Sequence, residues 1–491
     1  MKLRLAVYEI PTIAIGLGLM LAGCVSAPAP KTNTESWVPP EHARQSDTTW
    51  QALHAMSNDF SRPMTLPELA DVAMRNSPAT RKFWNDARAA AAQVKQARGY
   101  FLPTLTGTAE AARLGFSTEP DTYDADRLQY GPGLQLDYLL FNFGGGRGAA
   151  VEQALQTVYA ANFTFNQSVQ DVLLAVETAY YGLVSARAGV EAANASVTDA
   201  KLALDTAQER NHAGVGTVLD VLQAQAGYDQ ARYQLAGAKG QLTIAKGQLA
   251  KSLGLPADVA VDVQAPVVDI PKGVDRQDMR RLIDEALDRR PDIAALRANL
   301  AAKQAAITVA GSANWPSLFL NGAVNRDYYA VDRGDFQDND WSYNAGLNLQ
   351  WTLFDGLRTI NAKRAAAAQA DSVRDQLTQA ELATSAVVWN SYSAYETALE
   401  KHLFSVAYLN SAKASYDLAL DSYANGLNSM LDVISAESRL AQARQQNITA
   451  RQDAFTALAN LAYAVGRLER DAVGRGQKDL FLNSAIKDQQ P

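Results

Sequence analysis

The chain holds a single cysteine, Cys24, so no disulfide can form within one copy. Its four histidines, His42, His54, His212 and His402, are scattered without the spacing of metal ligands. No Ser-His-Asp arrangement is suggested, and Gly144-Gly145-Gly146-Arg147-Gly148 lacks the Lys-Ser/Thr ending of a phosphate loop. These absences point to no enzyme and no cofactor. A basic stripe is missing as well: the formal charge is −7 and the pI near 5.3, which argues against a nucleic-acid partner. Long apolar runs are confined to the first residues, and mean hydropathy is −0.18.

What is present begins with that run. Lys2 and Arg4 precede the apolar stretch Ile10 to Leu21, followed by Leu21-Ala22-Gly23-Cys24. A basic head, an apolar segment and a small-residue cleavage site read as a signal peptide over residues 1–23. Leu-Ala-Gly-Cys resembles the bacterial lipobox, which implies lipidation of Cys24; the other reading is an ordinary small residue in a cleaved signal. Residues 24–62 hold Pro28, Pro30, Pro39 and Pro40 and are expected to run as an extended tether.

The rest is written twice. AGVGTVLDVLQAQ at 213–225 is echoed by ANGLNSMLDVISAE at 424–437, so Asp220 recurs as Asp432, Gly214 as Gly426 and Arg232 as Arg444. One residue more carries Pro78 to Pro291, Pro103 to Pro316, Leu136 to Leu349 and Phe141 to Phe354. This is a tandem duplication, with repeats expected at 63–255 and 275–467, a linker at 256–274 and a polar tail at 468–491.

Each repeat opens with short helices around a proline, at Leu66 to Arg98 and Met279 to Ala310. A hairpin follows. Residues 341–353 alternate apolar or aromatic side chains (Trp341, Tyr343, Ala345, Leu347, Leu349, Trp351, Leu353) with Ser, Asn, Gly, Gln and Thr, the period of a strand with one greasy face. Leu134, Leu136, Tyr138 and Leu140 repeat the pattern. Partner strands begin after Pro103 and Pro316, with turns expected near Glu119 to Asp126 and Val331 to Asp340. Such a sheet covers a soluble core or crosses a bilayer; strands of about ten residues or more and aromatics near their ends fit a bilayer. Four strands do not close, because the smallest membrane barrels use about eight and lipid tolerates no open edge. Several chains must therefore share one barrel.

No proline interrupts residues 146–211 or 357–423, so each predicts a helix of about 100 Å at about 1.5 Å per residue. Helices from Thr217 to Leu253 and Asn428 to Val465 follow, and the short connections force antiparallel hairpins. Small residues at helical spacing, such as Ala200, Ala203 and Ala207, permit close packing. Gly214, Gly216, Asn425 and Gly426 are residue types suited to the left-handed turn at each hairpin tip.

With the Leu-Asp-Val tips, the strand-then-glycine junctions (Leu140-Phe141-Asn142-Phe143-Gly144-Gly145 and Leu353-Phe354-Asp355-Gly356), the lipobox and the tandem halves in this order, residues 66–467 resemble the TolC-like outer membrane factors, especially their lipidated branch. The resemblance implies an α+β membrane protein. Three chains would close a twelve-stranded transmembrane β-barrel, continued by a trimeric α-barrel tunnel of long helical hairpins, with Pro256 to Lys272 and Arg470 onward forming an equatorial belt. It implies a passive exit duct in the Gram-negative outer membrane, working with a periplasmic adaptor and an inner-membrane pump of the resistance–nodulation–division type. A protein-secretion conduit and a non-conducting envelope lipoprotein are the competing readings.

Carried onto this sequence, the resemblance implies that Asp220 and Tyr423 bond to each other across the closed tip and that Asp432 lines its constriction. Three copies of Asp432 near one axis would repel, favouring a bound cation or a raised pKa; a solvated carboxylate is the plainer reading. Gly214, Val215, Gly216, Gly426 and Leu427 are implied as the adaptor's docking surface, though the glycines also serve the turn. Asn428 and Ser435 replace a basic residue and an acid found in some relatives, so a looser latch is expected.

Overall fold

The computed structural model describes residues 62–116, 125–264, 279–331 and 337–468. The signal peptide, Cys24, nearly all of the tether, the later part of the inter-repeat linker and the tail from Arg470 lie outside the described residues. The first repeat runs α1 (Leu66–Asn76), α2 (Pro78–Gly99), β1 (Thr104–Phe116), β2 (Ala125–Asn142), α3 (Gly146–His212) and α4 (Val218–Ser252). The second runs α5 (Met279–Arg289), α6 (Pro291–Gly311), β3 (Ser317–Val331), β4 (Gln337–Gln350), α7 (Arg358–Ala424) and α8 (Met430–Ala464). The duplication is kept closely: α3 and α7 are each 67 residues, α4 and α8 each 35. No described helix is long and apolar enough to cross a membrane.

The prolines sit where the backbone has a use for them. Pro78 and Pro291 each occupy the first turn of a helix, a position whose N–H has no partner in any case. Pro316 precedes β3 and has no N–H to give. The β3–β4 ladder accordingly closes at Ser317↔Gln350, and β4 ends there instead of continuing to Leu353 as its alternation predicts. Trp351 beyond the strand end donates its indole N–H to the Asn314 carbonyl at 3.1 Å.

The four strands form one antiparallel sheet in sequence order, so β2 of the first repeat pairs with β3 of the second. Strands β2 and β4 reach further into the expected turns than their composition suggests, to Ala125 and Gln337. Strand β2 even passes through Gly131-Pro132, a dipeptide that usually ends one. Here Pro132 keeps its place opposite Ala109 of β1, while the β2–β3 ladder lapses between Tyr130↔Tyr328 and Gly133↔Asn325.

Register aligns the alternation across all four strands. Leu105 stands opposite Leu136, Leu134 opposite Val324, and Leu320 opposite Leu347, all on one face. The other face is polar and knitted together: Asn321 donates to Asp137 at 2.7 Å, and Ser342 to Asp327 at 3.1 Å. A one-residue slip would exchange the faces, so the pattern specifies the pairing. Aromatics mark both ends, with Tyr130 stacked on Tyr328 at 5.5 Å near the hairpin turns and exposed Phe141, Trp315 and Trp351 near the helices.

The long helices pair as α3–α4 and α7–α8, with α3 against α8. Ala200, Ala203 and Ala207 are all buried, as their spacing predicts. One apolar cluster gathers Val176, Tyr180 and Leu183 of α3, Leu249 of α4 and Phe455 of α8 with Val259, Val261 and Val263 of the inter-repeat linker. A second lies at the far end, where residues of all four long helices pack together, among them Leu204, Ala224, Tyr416 and Val433. The two hairpin tips of one chain therefore share a core.

Candidate functional site: the paired hairpin tips

Both tips are built alike. Helix α3 stops in a Schellman turn: Gly214 adopts φ +78°, its N–H bonds to the Asn211 carbonyl, and the Val215 N–H bonds back to Arg210. Helix α7 stops the same way at Gly426, φ +77°, through Gly426 to Tyr423 and Leu427 to Ser422. Gly216 and Asn425 are not left-handed, contrary to expectation. Asn425 has φ −86° and donates its side-chain amide to the Asp421 carbonyl. Gly216 is small for another reason: a Cβ there would lie 2.9 Å from the Asn211 nitrogen and 3.0 Å from the Arg210 carbonyl carbon.

The repeated aspartates then start the returning helices. Thr217 and Asp220 form a capping box for α4, each side chain bonded to the other's backbone N–H at 3.1 Å. Ser429 and Asp432 repeat it for α8, where the Ser429 hydroxyl also donates to the carboxylate at 2.7 Å. The echo that drew attention in the sequence is thus a stop signal followed by a start signal, written twice.

This changes the expectation for each acid. Within one chain Asp220 and Tyr423 do not hydrogen-bond to each other. The Asp220 carboxylate is drawn to the N-terminus of α4, and the buried Tyr423 hydroxyl has no partner among the described residues. Burial, with the charge of Asp220 adding to it, still pushes the Tyr423 phenol up. Asp432 is exposed and its carboxyl is held below the usual range by the Ser429 hydroxyl and N–H. The raised pKa expected from repulsion between copies is therefore opposed inside each chain by the cap.

Val215 and Leu427 project at the tips, 65% and 78% exposed, and Val218, Leu219, Leu222 and Leu431 beside them are exposed as well. Arg210, in the last turn of α3, was not singled out by the repeat pattern. Its guanidinium donates to the Ala424 carbonyl at the end of α7 and to the Val215 carbonyl, and lies 5.0 Å from the centre of the Tyr423 ring. Higher along the bundle, Arg444 of α8 bonds Asp199 of α3 at 2.7 Å and Tyr416 of α7 donates to the Asp199 carbonyl. Burial, with Asp199 adding to it, pushes the neighbouring Glu437 carboxyl up to about 7. Arg444 echoes Arg232, yet only Arg444 crosses to another long helix.

A family profile described as outer membrane efflux protein matches the chain twice, over residues 69–255 and 282–467. The chain belongs to that family. Protein CyaE of Bordetella pertussis is 30% identical over 84% of this chain and 85% of its own length. The pyoverdine export outer membrane protein OpmQ of Pseudomonas aeruginosa is 26% identical over 94% of this chain and 98% of its own. Among solved structures, the outer membrane protein VceC of Vibrio cholerae superposes with a TM-score of 0.70 at 20% identity, covering 86% of this chain and 98% of that one. Family members are conduits of transport, not enzymes, and this chain is an outer-membrane channel of efflux.

Proposed function

We propose that three copies of this chain form one passive exit duct, with twelve strands closing a barrel in the outer membrane and the long helices continuing it as a tunnel toward the inner membrane. The observation that carries this is the sheet itself: among the described residues β1 and β4 each have no neighbour on their outer side, although every strand presents an apolar face in register. An open ladder in lipid strands its N–H and C=O groups, at several kcal/mol each, so copies must complete one another. The helices support the same reading. Large apolar side chains along α7, including Leu382, Trp389, Leu403, Phe404 and Leu418, are exposed in the single chain, as are Tyr233 and Ile244 of α4.

Lipidation at Cys24 would hold each copy in the same leaflet. A periplasmic adaptor would engage the tips through Gly214, Val215, Gly216, Gly426 and Leu427, and an inner-membrane pump would supply the energy. The test is direct: purified protein should form three-fold rings when viewed end-on and pass discrete currents in a planar bilayer. In a host lacking its own efflux channel, it should restore resistance to small toxic compounds when supplied with its adaptor and pump. A soluble monomer without current would sink the proposal, and rescue of a secreted polypeptide instead of small molecules would move it to the secretion reading.

Asp432 supplies a further expectation. Asp432→Asn keeps an acceptor for the capping box while removing the charge, so it separates conduction from folding. Cation selectivity and block by calcium or polyamine should fall in that variant. In the parent channel the block should persist as the pH drops to about 4, because the cap favours the charged carboxylate. An unchanged current record in calcium would remove Asp432 from the conduction path.

A further inference from the structure

We infer that Arg113 and Arg326 form a phosphate-binding rim on the lipid-facing surface of the barrel, and that its ligand is the phosphorylated glycolipid of the outer leaflet. This rests on the duct reading, which puts the hairpin turns at the cell surface and the helices in the periplasm. The offset that carries Pro103 to Pro316 also carries Arg113 to Arg326, so the duplication writes the same arginine twice. Register places both on the apolar face. Arg113 stands opposite Leu128 on the strand side of Leu105, and Arg326 stands opposite Trp341 on the side of Leu320, each an even number of residues away. Asp137 and Asp327, the acids that bond across the sheet, are on the other face.

Arginine on a greasy face needs a reason, and depth supplies part of it. Each lies nine residues beyond the first residue of its strand, Thr104 or Ser317. At about 3.3 Å per residue and a tilt of about 40°, that is about 23 Å from the helix end, close to the far edge of an apolar band about 25 Å tall. A guanidinium is costly at mid-bilayer and tolerated at that edge, where headgroups begin. Phospholipid of the inner leaflet would meet the opposite end of the sheet. Local geometry supplies the rest. The Arg326 guanidinium lies 5.0 Å from the centre of the Trp341 ring and 5.7 Å from that of Tyr328, and Tyr328 in turn stacks on Tyr130. The two rings steady the flat cation at the surface, where Trp341 is itself exposed. A guanidinium held in this way presents a fork of N–H donors that fits two oxygens of one phosphate. In the first repeat Leu128 and Gly115 stand at the positions of Trp341 and Tyr328, so Arg326 is the stronger anchor of the two.

The experiment loads the full-length protein in detergent with lipid A, a disaccharide lipid carrying two phosphates, and counts the molecules retained after washing by native mass spectrometry. The parent should keep lipid A and lose the dephosphorylated form of the same lipid. Arg326→Gln should lower retention about tenfold, the scale of one charge-assisted hydrogen bond, and Arg113→Gln about threefold. Arg326→Lys should fall between the parent and Arg326→Gln, because an ammonium is a point charge without the flat fork. Inorganic phosphate and phosphatidylglycerol, added at the same concentration, should not displace lipid A. Displacement by either would overturn the glycolipid as the ligand. Equal retention by the parent and Arg326→Gln would overturn the rim. So would a parent that keeps dephosphorylated lipid A, an outcome that needs no variant to assemble. A parent that retains lipid A through Arg326 yet forms no three-fold ring and passes no current would overturn the duct reading separately.

Discussion

Valine in place of Gly144 is expected to cut the yield of assembled channel about tenfold or more, read as heat-resistant trimer in outer-membrane extracts, on the scale that core overpacking reaches. The three glycines at the junction of β2 and α3 resemble a phosphate loop only in composition, and they answer two constraints, close approach to Ser312 and a left-handed turn. A Cβ on Gly144 would lie 2.7 Å from the Ser312 Cα and 2.8 Å from its carbonyl oxygen, backbone that has nowhere to retreat. Gly145 holds φ +69°. Gly146 is buried, donates its N–H to the Asn142 side chain at 2.9 Å, and would meet the Ser312 hydroxyl at 2.2 Å if it carried a Cβ. Ser312 begins the short turn that leads into β3, so the junction of the first repeat packs against the strand entry of the second. In the second repeat Gly356 has open space around it and only its φ of +71° to justify it, and Leu357 already tolerates φ +65° next to it. Gly356→Ala should therefore cost only about 1–2 kcal/mol. Gly148, inside α3 with open space where a Cβ would lie, should accept alanine with a small gain in stability. Equal losses at Gly144 and Gly148 would refute the assignment to close approach.

The second large effect is a pH dependence centred on Glu177. This residue of α3 is only 2% exposed, one of its carboxylate oxygens has no hydrogen-bond partner, and burial pushes its carboxyl up to about 7. An acid raised in the folded state is protonated there while the unfolded chain has already lost its proton. Stability is then full below about 4.5, declines as the pH rises toward about 7, and stays low above it. The shift corresponds to about 3 kcal/mol per chain between those limits. Glu177→Gln removes the titration at nearly constant shape. It should raise the thermal midpoint of the helical signal at pH 8, leave it little changed at pH 4.5, and so flatten the profile. The half-buried Glu437 carboxyl, displaced in the same direction, should leave a smaller residual slope. A Glu177→Gln profile parallel to that of the parent would show that the buried charge is accommodated by other means.

Much of this architecture was legible beforehand because it depends on local rules. Proline-free runs set the lengths of α3 and α7 to within a residue or two, Gly214 and Gly426 marked their ends, and alternation located β2 and β4. Departures arose where a distant partner decides. Strand β4 stops at Gln350 because of Pro316 across the ladder, not because its own alternation fails. Gly131-Pro132 was survivable because only one of the two flanking ladders is interrupted there. The aspartates of the Leu-Asp-Val echo were read through the family resemblance as latch and constriction, whereas capping boxes at Thr217 and Ser429 account for their recurrence. Arg210 escaped a search for repeats because it has no echo.

Order along the chain was enough to establish a duplicated pair of hairpins, strand and helix, since periodicity and turn chemistry act over a few residues and survive without neighbours. It could not reveal that β2 would join β3 across the repeat boundary, that Glu177 would be sealed off from water, or that an arginine of one tip would reach the carbonyls of the other. Those depend on which surfaces meet when the two repeats pack, α3 against α8 and β2 against β3, and contacts between residues so far apart in the chain leave no period to read.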